Sequence, residues 1–155
     1  MSEQQQPQFG IEKIYLKDLS LEIPNAPQIF LDRDTPQIEI NIHSGANPLE
    51  QPGLYEVVLT VTVTAKLKDK TAFLVEVAQA GIFQIVNLPA QELDAVLGVL
   101  CPSTLQPYAR EAVASLMTRA GFPPVVLQHM NFDVAYQERI RQLQQEQAAK
   151  AGAPN

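Results

Sequence analysis

The chain has no tryptophan, a single cysteine at position 101, and two histidines, His43 and His129, far apart in the sequence. One cysteine excludes an internal disulfide, and two scattered histidines give no cluster at metal-ligand spacing, so no zinc site is expected. Bases are scarce: 11 Lys and Arg stand against 17 Asp and Glu, for a net charge of -6. Nucleic-acid binding draws on clustered Lys and Arg, and this balance excludes it as the main activity. The acidity is uneven, with 13 acids and 6 bases in residues 1–100 against 4 and 5 in residues 101–155. No run approaches the ~18 apolar residues of a membrane span, and the polar, Gln-rich N-terminus lacks the basic and apolar regions of a signal peptide. The cytoplasm is therefore the expected location, with no insertion into a membrane. No phosphate-binding loop, dinucleotide fingerprint or nucleophile elbow occurs. The carboxylate pairs Asp32/Asp34 and Asp18/Glu22 have no nucleophile or histidine beside them, so catalysis and a cofactor are not expected.

What the chain does have is alternation. From Leu54 to Ala65, Tyr55, Val57, Leu59, Val61 and Val63 share one face, and Glu56, Val58, Thr60, Thr62 and Thr64 the other. After the charged turn Lys68-Asp69-Lys70, Phe73, Val75 and Val77 oppose Ala72, Leu74, Glu76 and Ala78, which predicts an antiparallel hairpin. Phe9 to Ile23 reads as a strand whose apolar phase changes midway, as a bulge would produce; Asp18, Ser20 and Glu22 share its other face. Two prolines, Pro24 and Pro27, end it. The apolar triplet Ile29-Phe30-Leu31 follows, then a short strand with Ile38, Ile40 and Ile42 on one side, and a turn-rich connection over 44–53.

From Pro89 the period becomes helical, and Pro102 is expected to break the first helix. The second carries a broad stripe of Leu105, Tyr108, Ala109, Ala112, Val113, Leu116 and Met117, wider than one sheet face needs. That width favours a shared interface with other copies. After Gly121 and Pro123-Pro124, Asn131 or Asp133 is expected to cap a last, narrow-striped helix bearing Tyr136, Ile140 and Leu143. The reading is a single α+β domain over residues 9–146, with flexible tails at 1–8 and 147–155.

Several blocks in order resemble the SecB family of bacterial protein-export chaperones. They are Ile14-Tyr15-Leu16-Lys17-Asp18-Leu19-Ser20 with Pro24-Asn25-Ala26-Pro27; Tyr55-Glu56-Val57-Val58-Leu59; Thr71-Ala72-Phe73-Leu74-Val75-Glu76-Val77 leading to Gly81-Ile82-Phe83; Cys101-Pro102 with Pro107-Tyr108-Ala109-Arg110-Glu111; and Gly121-Phe122-Pro123 with Asn131-Phe132-Asp133. The resemblance implies a four-stranded antiparallel sheet with helices on one side, assembled as a tetramer, a dimer of dimers. It implies ATP-independent binding of unfolded preproteins and their delivery to the motor protein SecA. The SecA contact would fall on Asp18, Glu22, Leu74 and Glu76, and would engage a zinc-bearing tail in which the metal belongs to SecA. Client binding would fall on Ile29, Phe30, Leu31, Ile38, Ile40, Ile42, Leu127, Met130 and Phe132. The chain departs from the family in lacking a tryptophan in the segment after Phe30, where it reads Asp34-Thr35. The alternatives are a SecB-like chaperone of a toxin–antitoxin system, which the intact acidic set disfavours, and a small-molecule-binding α+β domain, for which no convergent polar groups are found.

Overall fold

Strict alternation organises the two central strands of the computed structural model, which describes residues 5–152. In β3 (Leu54–Leu67), Val57, Leu59, Val61, Val63 and Ala65 are buried, while the residues between them stay partly open. β4 (Lys70–Val86) returns antiparallel and adds Phe73, Val75 and Val77 to the same buried face. A one-residue slip would expose these side chains, each worth about 1.5–3 kcal/mol when buried, so the register is strongly fixed. Ala72, expected on the open face, is buried too, beside a register shift at Ala65/Lys66.

β1 (Gln8–Glu22) pairs with β4, and β2 (Gln37–Pro48) with β3, giving an all-antiparallel sheet of order β1-β4-β3-β2 with β1 and β2 at its edges. The phase changes in β1 correspond to two bulges, at Ile11/Lys13 and Leu16/Asp18. They bring Phe9, Ile11, Ile14, Leu16, Leu19 and Leu21 onto the face that carries the core. At the second bulge the buried Gln79 donates through Nε2 to the Tyr15 carbonyl at 3.1 Å, satisfying a group that the disturbed ladder would leave open. β2 is longer than expected: residues 44–48 continue the ladder to Pro48↔Tyr55 instead of forming a turn-rich connection. An edge strand tolerates Pro48 because a missing N–H need not break a central ladder.

The helical part also departs from expectation. α1 (Ala90–Ala95), a π-helical turn (Val96–Leu100) and α2 (Cys101–Arg119) follow one another without a break. Pro102 does not end the helix, because the wider turn, with the Cys101 N–H on the Val96 carbonyl, gives its ring room. The hydroxyls of Ser103 and Thr104 bond the carbonyls of Val99 and Leu100 at 2.6 and 2.8 Å. α2 rests on β4 and β3. Leu105, Ala109, Val113 and Met117, spaced four apart, are fully buried within this one chain. They were expected at an interface with another copy, and that expectation is corrected: the chain's own sheet takes them. Half-exposed Tyr108 and partly buried Ala112 and Leu116 remain on the free flank.

α2 ends at Gly121, whose φ of +87° supports paired bonds from its N–H to Thr118 and from the Phe122 N–H to Met117, both 3.1 Å. This turn folds Phe122 back onto Phe73, ring centroids 4.7 Å apart. α3 (Phe132–Ala151) begins at Asn131, whose Oδ1 accepts from the N–H groups of Asp133 and Val134. Of the expected tails, residues 1–4 and 153–155 lie outside the described residues. Gln8 is already paired with Val86, and Ala- and Gln-rich sequence carries α3 to Ala151.

On the open face of the sheet, β1 and β3 are stapled across β4. The Tyr15 hydroxyl donates to Glu56 Oε2, and Lys17 Nζ donates to Glu56 Oε1 at 2.7 Å. The Lys17 bond, then the Tyr15 bond, holds the Glu56 carboxyl below its ordinary value of 4.5. Burial and the same bond push the Tyr15 phenol up to about 12, so it stays a donor.

Two outcomes are expected. Leu105→Ala should cost about 2–5 kcal/mol in urea unfolding; an unchanged midpoint would return Leu105 to an open flank. Because the folded pKa of Glu56 is lowered, its contribution is complete above the ordinary carboxyl range and is lost as pH falls through the depressed value. Glu56→Gln should therefore flatten the acid limb of a urea-midpoint titration run from about pH 7 to about pH 3. A limb as steep as that of the parent would assign acid sensitivity elsewhere.

Candidate binding faces

The open face brings the expected docking residues together. In register, Glu22 opposes Leu74, Ser20 opposes Glu76, and Asp18 opposes Ala78, with Thr64, Thr62 and Thr60 of β3 completing the rows. Asp18 and Glu22 thus stand one step either side of the residue facing Glu76, at diagonal separations of about 7–8 Å. Leu74 is the apolar point beside them. Among the described residues, no Lys or Arg pairs with Asp18, Glu22 or Glu76, and Glu39 of β2 lies on the same face, in the Leu74 row, equally without an ion-pair partner. Unneutralised carboxylates around a leucine make an anionic patch with an apolar centre, suited to a cationic segment.

The opposite face is apolar, and the helices cover only part of it. Ile38 and Ile40 of β2 remain about 40% exposed and Ile42 is partly buried, because α2 lies over β3 and β4. Ile38, Ala65 and Phe73 share one row, and Phe30 packs at a tilt against Phe122, ring centroids 5.1 Å apart. The triplet of the 3-10 turn Gln28–Leu31 is divided: Ile29 is buried, Phe30 is 45% exposed and Leu31 82%. Lys68 of the β3–β4 turn ties the following segment down through Asp34 at 3.4 Å and Asp32 at 3.9 Å.

Three residues expected to face a client point inward instead. Ile29, Leu127 and Phe132 are 3–5% exposed and belong to the core cluster. Met130 is partly buried and lines a recess of about 220 Å³ with Ile42, Phe132 and Tyr136. A neighbouring recess of about 440 Å³ lies between Ser44–Ala46 of β2 and Tyr136, Ile140 and Leu143 of α3. The Tyr136 ring sits where a Cβ on Gly98 would be 2.8 Å from it, and its hydroxyl donates to Asp94 at 2.7 Å. Only glycine at 98 lets α3 lie this close. Phe122 was not singled out from the sequence as a client-facing residue; the signal available was its place directly after a helix-ending glycine.

Burial pushes the Cys101 thiol up to about 12, so it carries no thiolate. Among the described residues no three of His, Cys, Asp and Glu converge on a metal position, and no helix is long and apolar enough to cross a membrane.

A sequence model of the family described as "Preprotein translocase subunit SecB" matches residues 2–143. Two similar relatives carry the name protein-export protein SecB. That of Methylobacillus flagellatus is 57% identical over 152 residues, 98% of this chain and 94% of the relative. That of Chromobacterium violaceum is 57% identical over 154 residues, 98% and 99% of the two chains. Among solved structures, the SecB-like chaperone of Mycobacterium tuberculosis, determined with a peptide of the HigA1 antitoxin, shares the fold with a TM-score of 0.64 at 18% identity, covering 79% of this chain and 91% of that one. Matched by the family model over nearly its whole length and by relatives at 57% identity, the chain belongs to the SecB family of non-enzymatic protein-export chaperones.

Proposed function

We propose that the protein holds unfolded preproteins in the cytoplasm without ATP and passes them to SecA. The observation that carries this reading is the division of one sheet into an incompletely covered apolar face and an unpaired acidic face. Extended clients offer alternating apolar side chains and no fixed shape. The exposed Phe30, Leu31, Ile38 and Ile40, with Ile42 and Met130 behind them, offer adaptable contacts of the kind that bind without strict sequence choice. The peptide held by the mycobacterial SecB-like chaperone is consistent with this use of the fold. The acidic patch of Asp18, Glu22 and Glu76 around Leu74 is the docking site for the zinc-bearing tail of SecA, with the zinc on the partner's side.

The protein works as a homotetramer in this reading. Support comes from two surfaces. One is edge strand β1, whose inner side leaves Phe9, Ile11, Leu16 and Leu19 40–49% exposed. The other is the free flank of α2 at Tyr108, Ala112 and Leu116. Several client surfaces in one assembly raise affinity for a long chain by multivalency.

In light scattering, the purified protein is expected at about four times its 17.1 kDa protomer mass, rising when a denatured preprotein, but not its folded form, is added. A monomer indifferent to unfolded client would refute both the assembly and the holding activity. Glu76→Lys should weaken a labelled, zinc-loaded peptide of the SecA tail at least about tenfold while suppression of client aggregation persists. Undiminished peptide binding would move the docking site off this face.

A further inference from the structure

We infer that Glu56 holds Lys17 away from the acidic patch, and so acts as a positioning residue for docking of a cationic partner segment. The inference rests on the docking reading of that patch. Lys17 is the extra residue of the second bulge in β1, between Leu16, opposite Gln79, and Asp18, opposite Ala78. In a regular strand it would alternate to the face opposite its neighbour Asp18. The bulge removes that alternation, and the ammonium lies on the open face, where it meets Glu56 at 2.7 Å.

An ammonium on this face has two possible counter-ions. One is the patch itself, since Asp18 is adjacent in the chain and Glu76 faces Ser20 two residues further on. The other is Glu56, which lies in the Lys13–Ile82 row, on the far side of Lys17 from Glu76. A lysine has a long flexible stem, so nothing in the backbone alone decides between them. Glu56 wins because it is pre-positioned. Its side chain is 17% exposed, against 50% for Lys17, and its second oxygen is already held by the Tyr15 hydroxyl. Tyr15 itself is anchored opposite Ala80, which is fully covered although it belongs to the open face. The consequence is electrostatic. Paired with Glu56, Lys17 leaves Asp18, Glu22 and Glu76 unneutralised; released, it would neutralise one of them and repel an incoming cation.

The test uses the labelled, zinc-loaded tail peptide and fluorescence anisotropy on the intact assembly. Glu56→Gln is expected to weaken binding about threefold by freeing Lys17. Glu50→Gln, in the β2–β3 turn at the end of the sheet away from Leu74, removes the same charge without freeing an ammonium, and is expected to stay within about 1.5-fold of the parent. In a Lys17→Gln background, Glu56→Gln should lose its effect; deleting a second residue cannot repair a misfolded face, so that recovery separates positioning from loss of structure. If Glu56→Gln costs no more than Glu50→Gln, or costs as much with Lys17 gone, Glu56 contributes only its charge and the inference is overturned. Glu76→Lys in the same assay separates the two levels: should it leave binding intact, the docking reading falls and this inference with it.

Discussion

The constraint on which everything else depends is one of width. Four strands at about 4.8 Å spacing make a sheet close to 19 Å across, whereas a single helix with its side chains is about 10–12 Å in diameter. The chain supplies one long helix for the apolar face, and α2 lies chiefly over β4 and β3. Both margins of that face stay open. On the β2 side the open margin is the isoleucine row with Phe30; on the β1 side it is Phe9, Ile11, Leu16 and Leu19. A globular domain with no further role would have closed these margins with polar residues. Here they are isoleucine, leucine and phenylalanine, surfaces that a protein-export chaperone can offer to other chains.

The opposite face obeys a different rule. Its centre is threonine, alanine and valine, and its charges stand around that centre on all four strands: Lys17, Asp18 and Glu22 of β1, Glu39 of β2, Glu56 of β3 and Glu76 of β4. The Tyr15–Glu56–Lys17 staple crosses the sheet at one end, and the unpaired carboxylates sit at the other. Like charges at this spacing oppose folding only weakly in water, and a partner of opposite sign turns the same repulsion into binding energy.

Much of this was legible in the sequence because sheet burial leaves a period of two. The central hairpin, the bulged β1 and the outward parity of Asp18, Glu22, Leu74 and Glu76 could be read directly. What was illegible depended on packing partners. A helical stripe does not say what it packs on, so Leu105, Ala109, Val113 and Met117 read as available when the chain's own sheet takes them. The apolar segment near Leu127 and Phe132 carried no sign of its inward direction for the same reason. Pro102 read as a stop because proline usually is one, and a π-helical turn that accommodates it leaves no simple periodic signature. β2 beyond His43 was missed since Ser44, Gly45 and Ala46 are poor strand formers, held in the ladder by pairing with Leu59, Val58 and Val57.

The strand order has a consequence for the making of the protein. β1 is the first strand to leave a ribosome, yet its partner in the sheet is β4, the last strand of the four. Roughly fifty residues separate them, about 2.5–10 s of synthesis at ordinary elongation rates. Throughout that interval Phe9, Ile11, Ile14, Leu16, Leu19 and Leu21 form an extended apolar segment with nothing to pair with. Each newborn copy therefore carries an unpaired apolar strand for seconds before its own last strand can cover it, so the timing of synthesis, and not only the finished contacts, decides what β1 meets first.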